Sequence, residues 1–249
     1  LKRTMRTDSR RDQTLPKIIS LFSGAGGLDL GFQQANFPLS FAADISTAAV
    51  QTHRRNFRKT LAVVADLTQL GPDGGLSYLE PLLSDGERIG VIGGPPCQGV
   101  SRGNTQSTTE DPRNQLPLLY LQIVEALQEK YTVEFVLFEN VLGIRDSKHL
   151  ATFHGILEKF SDIGLTANAE VYSALDYGIP QKRNRVIITG FRLKSVAQAF
   201  KPQKIQSNKL TVRTAIEGLP DPAYFARNLE RSSIPFHENH WTMRPVSKR

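Results

Sequence analysis

Cys97 is the single cysteine of a 249-residue chain, and it follows the apolar run 89–93 (IGVIG) in the segment Gly93-Gly94-Pro95-Pro96-Cys97-Gln98-Gly99. A free cysteine is more often a small core hydrophobe. Such residues sit inside apolar runs, however, whereas Cys97 sits on a loop at the end of an expected strand, the edge where open α/β sheets hold their ligands. It reads as a nucleophile. An ordinary thiol, with a pKa of about 8.5, is only a few per cent thiolate at neutral pH, so it needs a positive neighbour. In Phe138-Glu139-Asn140-Val141 a carboxylate and an amide follow another apolar strand. Parallel strands end on one edge, so Glu139 is expected to face the crevice of Cys97 and serve there as acid or base; a helix-capping pair is the alternative. In Gln181-Lys182-Arg183-Asn184-Arg185-Val186, alternation along an extended strand puts Gln181, Arg183 and Arg185 on one face. A solvated strand face is the alternative. The apolar continuation at 186–188 opposes it, because arginines carried into the protein body need partners.

Two further segments suit a nucleotide-like ligand. In 21–28 (LFSGAGGL) a strand ends in glycines before a helix, so the backbone can approach a ligand closely and helix-start N–H groups can hold a polar group. The dinucleotide fingerprint wants glycine three residues after Gly26; Asp29 stands there, which disfavours NAD. Asp44 follows the second expected strand and can accept from both hydroxyls of a ribose. Asp66 follows the third and can accept from an adenine amino group. Either acid alone could be a helix cap; together they point to an adenosine pocket.

The elements that must position these groups alternate as in α/β proteins. Strands are expected at 18–22, 39–43, 61–65, 89–93, 133–138, 169–174 and 185–191, and helices at 28–35, 47–56 and 116–130. Phe153, Ile156, Leu157 and Phe160 recur at helical spacing, so their segment should cover the sheet. Residues 1–16 read as a flexible basic leader without the apolar stretch of a signal peptide.

Composition narrows the setting. Hydrophobic residues form 39% and charged residues 22% of the chain, a globular balance that excludes a mostly disordered or collagen-like chain. No apolar run approaches the roughly 20 residues of a membrane helix. One cysteine permits no internal disulfide, which favours a reducing compartment. The net charge is +7, and nine Lys and Arg residues between Lys182 and Arg213 have no carboxylate among them, so the positive charge is local and suits nucleic acid. Five scattered histidines and a distant cysteine offer no zinc set.

With these five segments in order, the sequence strongly resembles the cytosine-5 DNA methyltransferase family over residues 17–220. The resemblance implies an α/β, Rossmann-like class I methyltransferase fold, with a mostly parallel sheet, helices on both faces and a terminal β-hairpin. It also implies S-adenosylmethionine as cofactor, S-adenosylhomocysteine as product and double-stranded DNA as partner. By resemblance, Phe22, Ser23, Gly24, Ala25, Gly26, Gly27 and Leu28 wrap the cofactor, Asp44 holds its ribose, and Ile45 lies beside the adenine. Asp66 and Leu67 meet the adenine edge, and Gly94, Pro96 and Leu116 line the pocket. Cys97 is the nucleophile and Glu139 the partner of the cytosine ring. Arg183 and Arg185 help hold base and backbone, and Gln98, Ser101, Asn140 and Gln181 contact the substrate. The loop 101–114 is expected to close over a flipped-out base.

The chain also departs from the family pattern. Ser20 stands where many members carry an acid, so one contact to the methionine end is expected to be missing or water-mediated. No late Gly-Asn-x-Val-like segment is found, and 221–249 reads as an incomplete start of the target-recognition region. A missing C-terminal segment or a second chain is therefore an expected partner, and weak cofactor binding by this chain alone is expected. The alternatives are cytosine-5 methylation of tRNA and a noncatalytic DNA-binding subunit, the latter opposed by the intact Cys97 and Glu139. The implied settings are DNA methylation in restriction–modification, and a nucleoid-associated location in the bacterial cytoplasm or a nuclear one in a eukaryote.

Overall fold

The computed structural model describes residues 14–74, 76–96, 115–205, 211–234, 237 and 240–243. Most of the expected leader, the loop 101–114, and Cys97, Gln98 and Ser101 lie outside the described residues.

The elements run β1 (Lys17–Leu21), α1 (Gly27–Gln34), β2 (Leu39–Asp44), α2 (Thr47–Asn56), β3 (Leu61–Val64), α3 (Leu67–Gly74), α4 (Leu76–Leu79), β4 (Arg88–Gly93), α5 (Leu116–Lys130), β5 (Thr132–Asn140), α6 (Leu150–Asp162), β6 (Thr166–Ser173), β7 (Asn184–Phe191), α7 (Lys194–Ala199), α8 (Val212–Ile216), β8 (Ala223–Tyr224) and β9 (Trp241–Thr242). Seven strands form one sheet in the order β3-β2-β1-β4-β5-β7-β6. Pairing is parallel from β3 to β5, and β7 is antiparallel to β5. The sheet ends in β7 and β6, consecutive in sequence and neighbours in space.

The described residues divide into two compact units, one within Leu1–Tyr172 and Asn184–Gln203, the other within Ser173–Arg183 and Lys204–Arg249. The first holds the main sheet. Its central strands are apolar on both faces, as strands covered by helices on each side must be, and Ile18, Ile19, Ile89, Val91 and Ile92 are fully buried. Tyr120, Leu121, Val124 and Leu127 of α5 join the same core as Phe153, Ile156 and Phe160 of α6, each fully buried side chain of this size contributing about 1.5–3 kcal/mol. Helix α5 carries Pro117 in its first turn, where no N–H is needed, and stops at Tyr131, whose extended backbone begins the next strand. Where β4 ends, a Cβ on Gly93 would lie 2.4 Å from the Leu21 carbonyl and 2.7 Å from the Tyr120 ring, so only glycine lets strand and helix close up there. No helix among the described residues is long and apolar enough to cross a membrane.

The second unit contains a short parallel pair that joins Ala223 to Trp241 and Tyr224 to Thr242, with the Phe225 and Trp241 rings 5.2 Å apart.

Two expectations change. Strand β5 runs on to Asn140, because β7 continues the ladder past Phe138, pairing Glu139 with Ile187 and Asn140 with Val186. Helix α3 was not anticipated; it contains Pro72 and is interrupted at Gly71, which has a left-handed φ of 65°.

Candidate active site

The chain leaves β1 into a tight loop between Phe22 and Gly26. Phe22 (φ 52°), Gly24 (φ 55°) and Gly26 (φ 94°) all adopt left-handed backbone. For phenylalanine that conformation costs on the order of 1–3 kcal/mol and has to be held by its surroundings. Ser23 N–H donates to the Ala43 carbonyl at 3.0 Å and Gly26 N–H to the Ser23 carbonyl at 3.1 Å. The glycines serve two purposes. A Cβ on Gly24 or Gly27 would meet nothing within 4 Å, whereas one on Gly26 would lie 2.3 Å from the Phe57 ring and 2.9 Å from that of His53. The loop is therefore open on one side and packed tight on the other. Ala25 is exposed, and Ser23 and Leu28 are half-buried.

Asp44 closes β2 beside this loop. Its Oδ2 accepts the Gly24 N–H at 2.8 Å and its Oδ1 the Ser46 N–H at 2.8 Å. Each oxygen keeps a second acceptor position, enough to take two hydroxyls of a ribose. Ile45, next in sequence, is 67% exposed and offers an apolar surface to a planar ring. Asp66 behaves differently. Its Oδ1 accepts both the Thr68 N–H (2.9 Å) and the Thr68 hydroxyl (2.6 Å), and these bonds hold its carboxyl below the usual 3.8. It thus realises the capping alternative at the start of α3. Leu67 is buried in the core. Leu116 is buried, Gly94 half-buried and Pro96 exposed. An open glycine cradle, a carboxylate with spare acceptor positions and an exposed Ile45 fit the nucleoside part of S-adenosylmethionine.

Glu139 and Arg185 face each other across neighbouring strands. Glu139 Oε1 lies 2.9 Å from Arg185 Nε, with about a quarter of each side chain exposed, and Arg185 also donates to the Asn184 carbonyl at 2.8 Å. A Cβ on Gly94 would lie 3.3 Å from Glu139 Oε2, so the carboxylate borders the segment that leads from β4 toward Cys97. Asn140 corrects an expectation. Its side chain is 3% exposed; Nδ2 donates to the Pro95 carbonyl at 3.1 Å and Oδ1 accepts the Val141 N–H at 2.9 Å. The amide anchors the proline segment and does not reach toward a substrate.

The strand alternation expected for Gln181, Arg183 and Arg185 is not made. Strand β7 begins only at Asn184. Ahead of it Pro180 and a turn that joins Arg183 N–H to the Gln181 carbonyl (2.9 Å) break the alternation. Gln181 and Arg183 are exposed residues of the second unit, while Arg185 belongs to the first.

Three buried polar residues meet in a way the sequence did not reveal. The Ser20 hydroxyl donates to Asp29 Oδ2 at 2.9 Å, and His53 Nε2 lies 3.0 Å from Asp29 Oδ1. Ser20 and Asp29 are 1% exposed and His53 is fully buried. The available signals were a serine inside the apolar run KIISL and a histidine spaced between Val50 and Phe57 on the apolar face of α2. The Ser20 hydroxyl is thus directed into the interior.

A family model for C-5 cytosine-specific DNA methylase matches residues 16–248. Among curated proteins the chain is similar to the Type II methyltransferase M.MthTI of Methanothermobacter thermautotrophicus, 36% identical over 225 residues, which are 89% of this chain and 63% of that protein. It is likewise similar to the Type II methyltransferase M.XorII of Xanthomonas oryzae pv. oryzae, 37% identical over 225 residues, with 89% and 50% covered. The chain spans between half and two thirds of the length of these relatives. Among solved structures it resembles one described as a DNA modification methyltransferase encoded within an E. coli prophage, with a TM-score of 0.69 and 30% identity over 84% of this chain and 57% of the other.

Proposed function

Because this chain belongs to the C-5 cytosine-specific DNA methylase family, we propose that it is the cofactor-binding and catalytic part of a DNA (cytosine-5)-methyltransferase acting on double-stranded DNA. The observation that carries this reading is a convergence at one sheet edge. The open glycine loop and Asp44 sit at the ends of β1 and β2, and the Glu139–Arg185 pair borders the segment that runs from β4 into Pro96-Cys97.

S-adenosylmethionine, when bound, supplies an electrophilic methyl group. Phe22 to Leu28 hold it, Asp44 takes its ribose hydroxyls, and Ile45 covers the adenine. Gly94, Pro96 and Leu116 complete the wall. Carbon 5 of cytosine is too poor a nucleophile to take a methyl group unaided, so the chain's own groups must raise its reactivity. The Cys97 thiolate adds to carbon 6 while Glu139 gives a proton to ring nitrogen 3, and the electron pair displaced from the 5,6 double bond makes carbon 5 nucleophilic. Carbon 5 takes the methyl group, which leaves S-adenosylhomocysteine; a base then removes the carbon 5 proton, ring nitrogen 3 returns its proton to Glu139, the double bond re-forms and Cys97 departs as thiolate. The target must first leave the base stack, at a cost of a few kcal/mol offset by contacts in the site. Arg185, with Gln98 and Ser101, is assigned to base and backbone.

Target recognition is assigned to residues 221 onward. The relatives' name, Type II methyltransferase, supports a restriction–modification setting, and hence a location with the DNA.

The test is transfer of tritiated methyl from labelled S-adenosylmethionine to duplex DNA and, in parallel, to tRNA. Label in 5-methylcytosine of DNA is expected. Label confined to tRNA, or absent from both, overturns the reading.

A further inference from the structure

We propose that Ser20, Asp29 and His53 are positioning residues for the cofactor: a buried polar clamp that fixes the glycine loop from behind and thereby sets its affinity for S-adenosylmethionine. This rests on the function proposed above.

The three residues come from three elements. Ser20 is in β1, one residue before the strand ends; Asp29 is in the first turn of α1; His53 is in the last turn of α2. Through the two oxygens of one carboxylate, at 2.9 and 3.0 Å, the strand that enters the loop, the helix that leaves it and the helix behind it are tied together. The His53 ring also stands 4.4 Å from that of Phe57, and both rings occupy the space directly behind Gly26. Asp44 Oδ2 in turn holds the Gly24 N–H. The loop is therefore held at Gly24 by a hydrogen bond and at Gly26 by packed rings.

Filling this volume with polar groups is costly. A buried carboxylate must be hydrogen-bonded to be tolerated, and His53 Nδ1 is buried without a partner among the described residues. A phenylalanine would fill the same space without that cost. What the trio provides, and an apolar packing would not, is directionality. Two hydrogen bonds fix the angle at which α1 departs from β1, and with it the conformation of the left-handed residues between them. A loop held in its binding shape before the ligand arrives binds more tightly, because less ordering remains to be done.

The experiment uses the full-length protein and two readouts: calorimetric binding of S-adenosylmethionine, and hydrogen exchange of the Gly24 and Gly26 amides without ligand. His53→Phe and Asp29→Asn are expected to weaken binding by about tenfold, the scale of one hydrogen bond to a charged group, and to speed exchange at both amides. His53→Gln, which keeps an N–H donor, should recover most of the loss. In turnover, the cofactor KM should rise more than kcat falls. Should His53→Phe fail to fold, Ser20→Ala removes one bond of the clamp and should show the same two effects at smaller size. Wild-type affinity and exchange in a folded variant, whether or not its melting temperature falls, overturns the inference alone. If the unaltered protein binds no S-adenosylmethionine, the functional reading fails, and this inference with it.

Discussion

Glu139 Oε1 stands 2.9 Å from Arg185 Nε, joining the end of β5 to the start of the antiparallel strand beside it. The pair is part-exposed, so its contribution to stability is small, on the order of 1 kcal/mol or less. Its value lies in aiming the carboxylate. Arg185→Ala is expected to leave the melting temperature within a few degrees of wild type while methyl transfer falls by about a hundredfold or more, as for other losses of an oriented acid. Steady-state kinetics beside a thermal melt checks both halves.

The glycine loop separates packing from binding. Gly26→Ala drives a Cβ into the Phe57 ring at a backbone angle that L residues rarely adopt and should cost about 1–3 kcal/mol of stability. Gly27→Leu meets no protein atom near its Cβ. It should leave stability nearly unchanged and weaken S-adenosylmethionine binding by about tenfold or more through occupation of the cradle. Denaturant melts and calorimetry on the two variants distinguish the effects.

Asn140 is committed to the Pro95 carbonyl and to Val141 N–H. Asn140→Leu leaves those groups without their partner at a buried site, and a loss of about 1–3 kcal/mol is expected. Since Pro95 precedes Cys97 by two residues, kcat should fall in protein that remains folded. Equal kcat in folded Asn140→Leu would assign the amide to stability alone.

His149 links stability to pH. Burial, with the charge of Lys148 beside it, lowers the imidazole pKa below 6.5, and its Nε2 is buried without a partner among the described residues. The folded state therefore binds the proton less readily than the unfolded chain. The associated stability is complete above about pH 6.5 and is lost as pH falls through the lower folded-state value. His149→Leu should flatten this part of the stability profile, which urea melts between pH 7.5 and 5 would record.

Much of the site was legible because its chemistry follows strand ends. Asp44, Glu139 and the 22–27 loop each follow an apolar run, and a parallel sheet brings such positions to one edge. Other features were not legible, for identifiable reasons. The Ser20–Asp29–His53 contacts join residues as far as 24 positions apart, and each type alone reads as a cap, a turn or a surface group. Asp29 was noticed only as the residue that spoils a dinucleotide fingerprint. Asn140 looked ready to bind substrate, because nothing local reveals that its amide turns back to Pro95. Gln181 and Arg183 were given strand alternation that the turn after Pro180 does not allow. At Asp66 the capping and binding readings have the same local signature, and the Thr68 hydrogen bonds show that the cap is made.

The central claim is that Cys97 bonds covalently to carbon 6 of a cytosine during methyl transfer. Duplex DNA in which target cytosines are replaced by 5-fluorocytosine tests it most directly, because fluorine at carbon 5 cannot leave as a proton does and the adduct persists. With S-adenosylmethionine present, the full-length protein should form a denaturation-resistant complex with this DNA, and Cys97→Ala should form none. An adduct that survives Cys97→Ala, or active methyl transfer by wild-type protein with no adduct at all, would contradict the account.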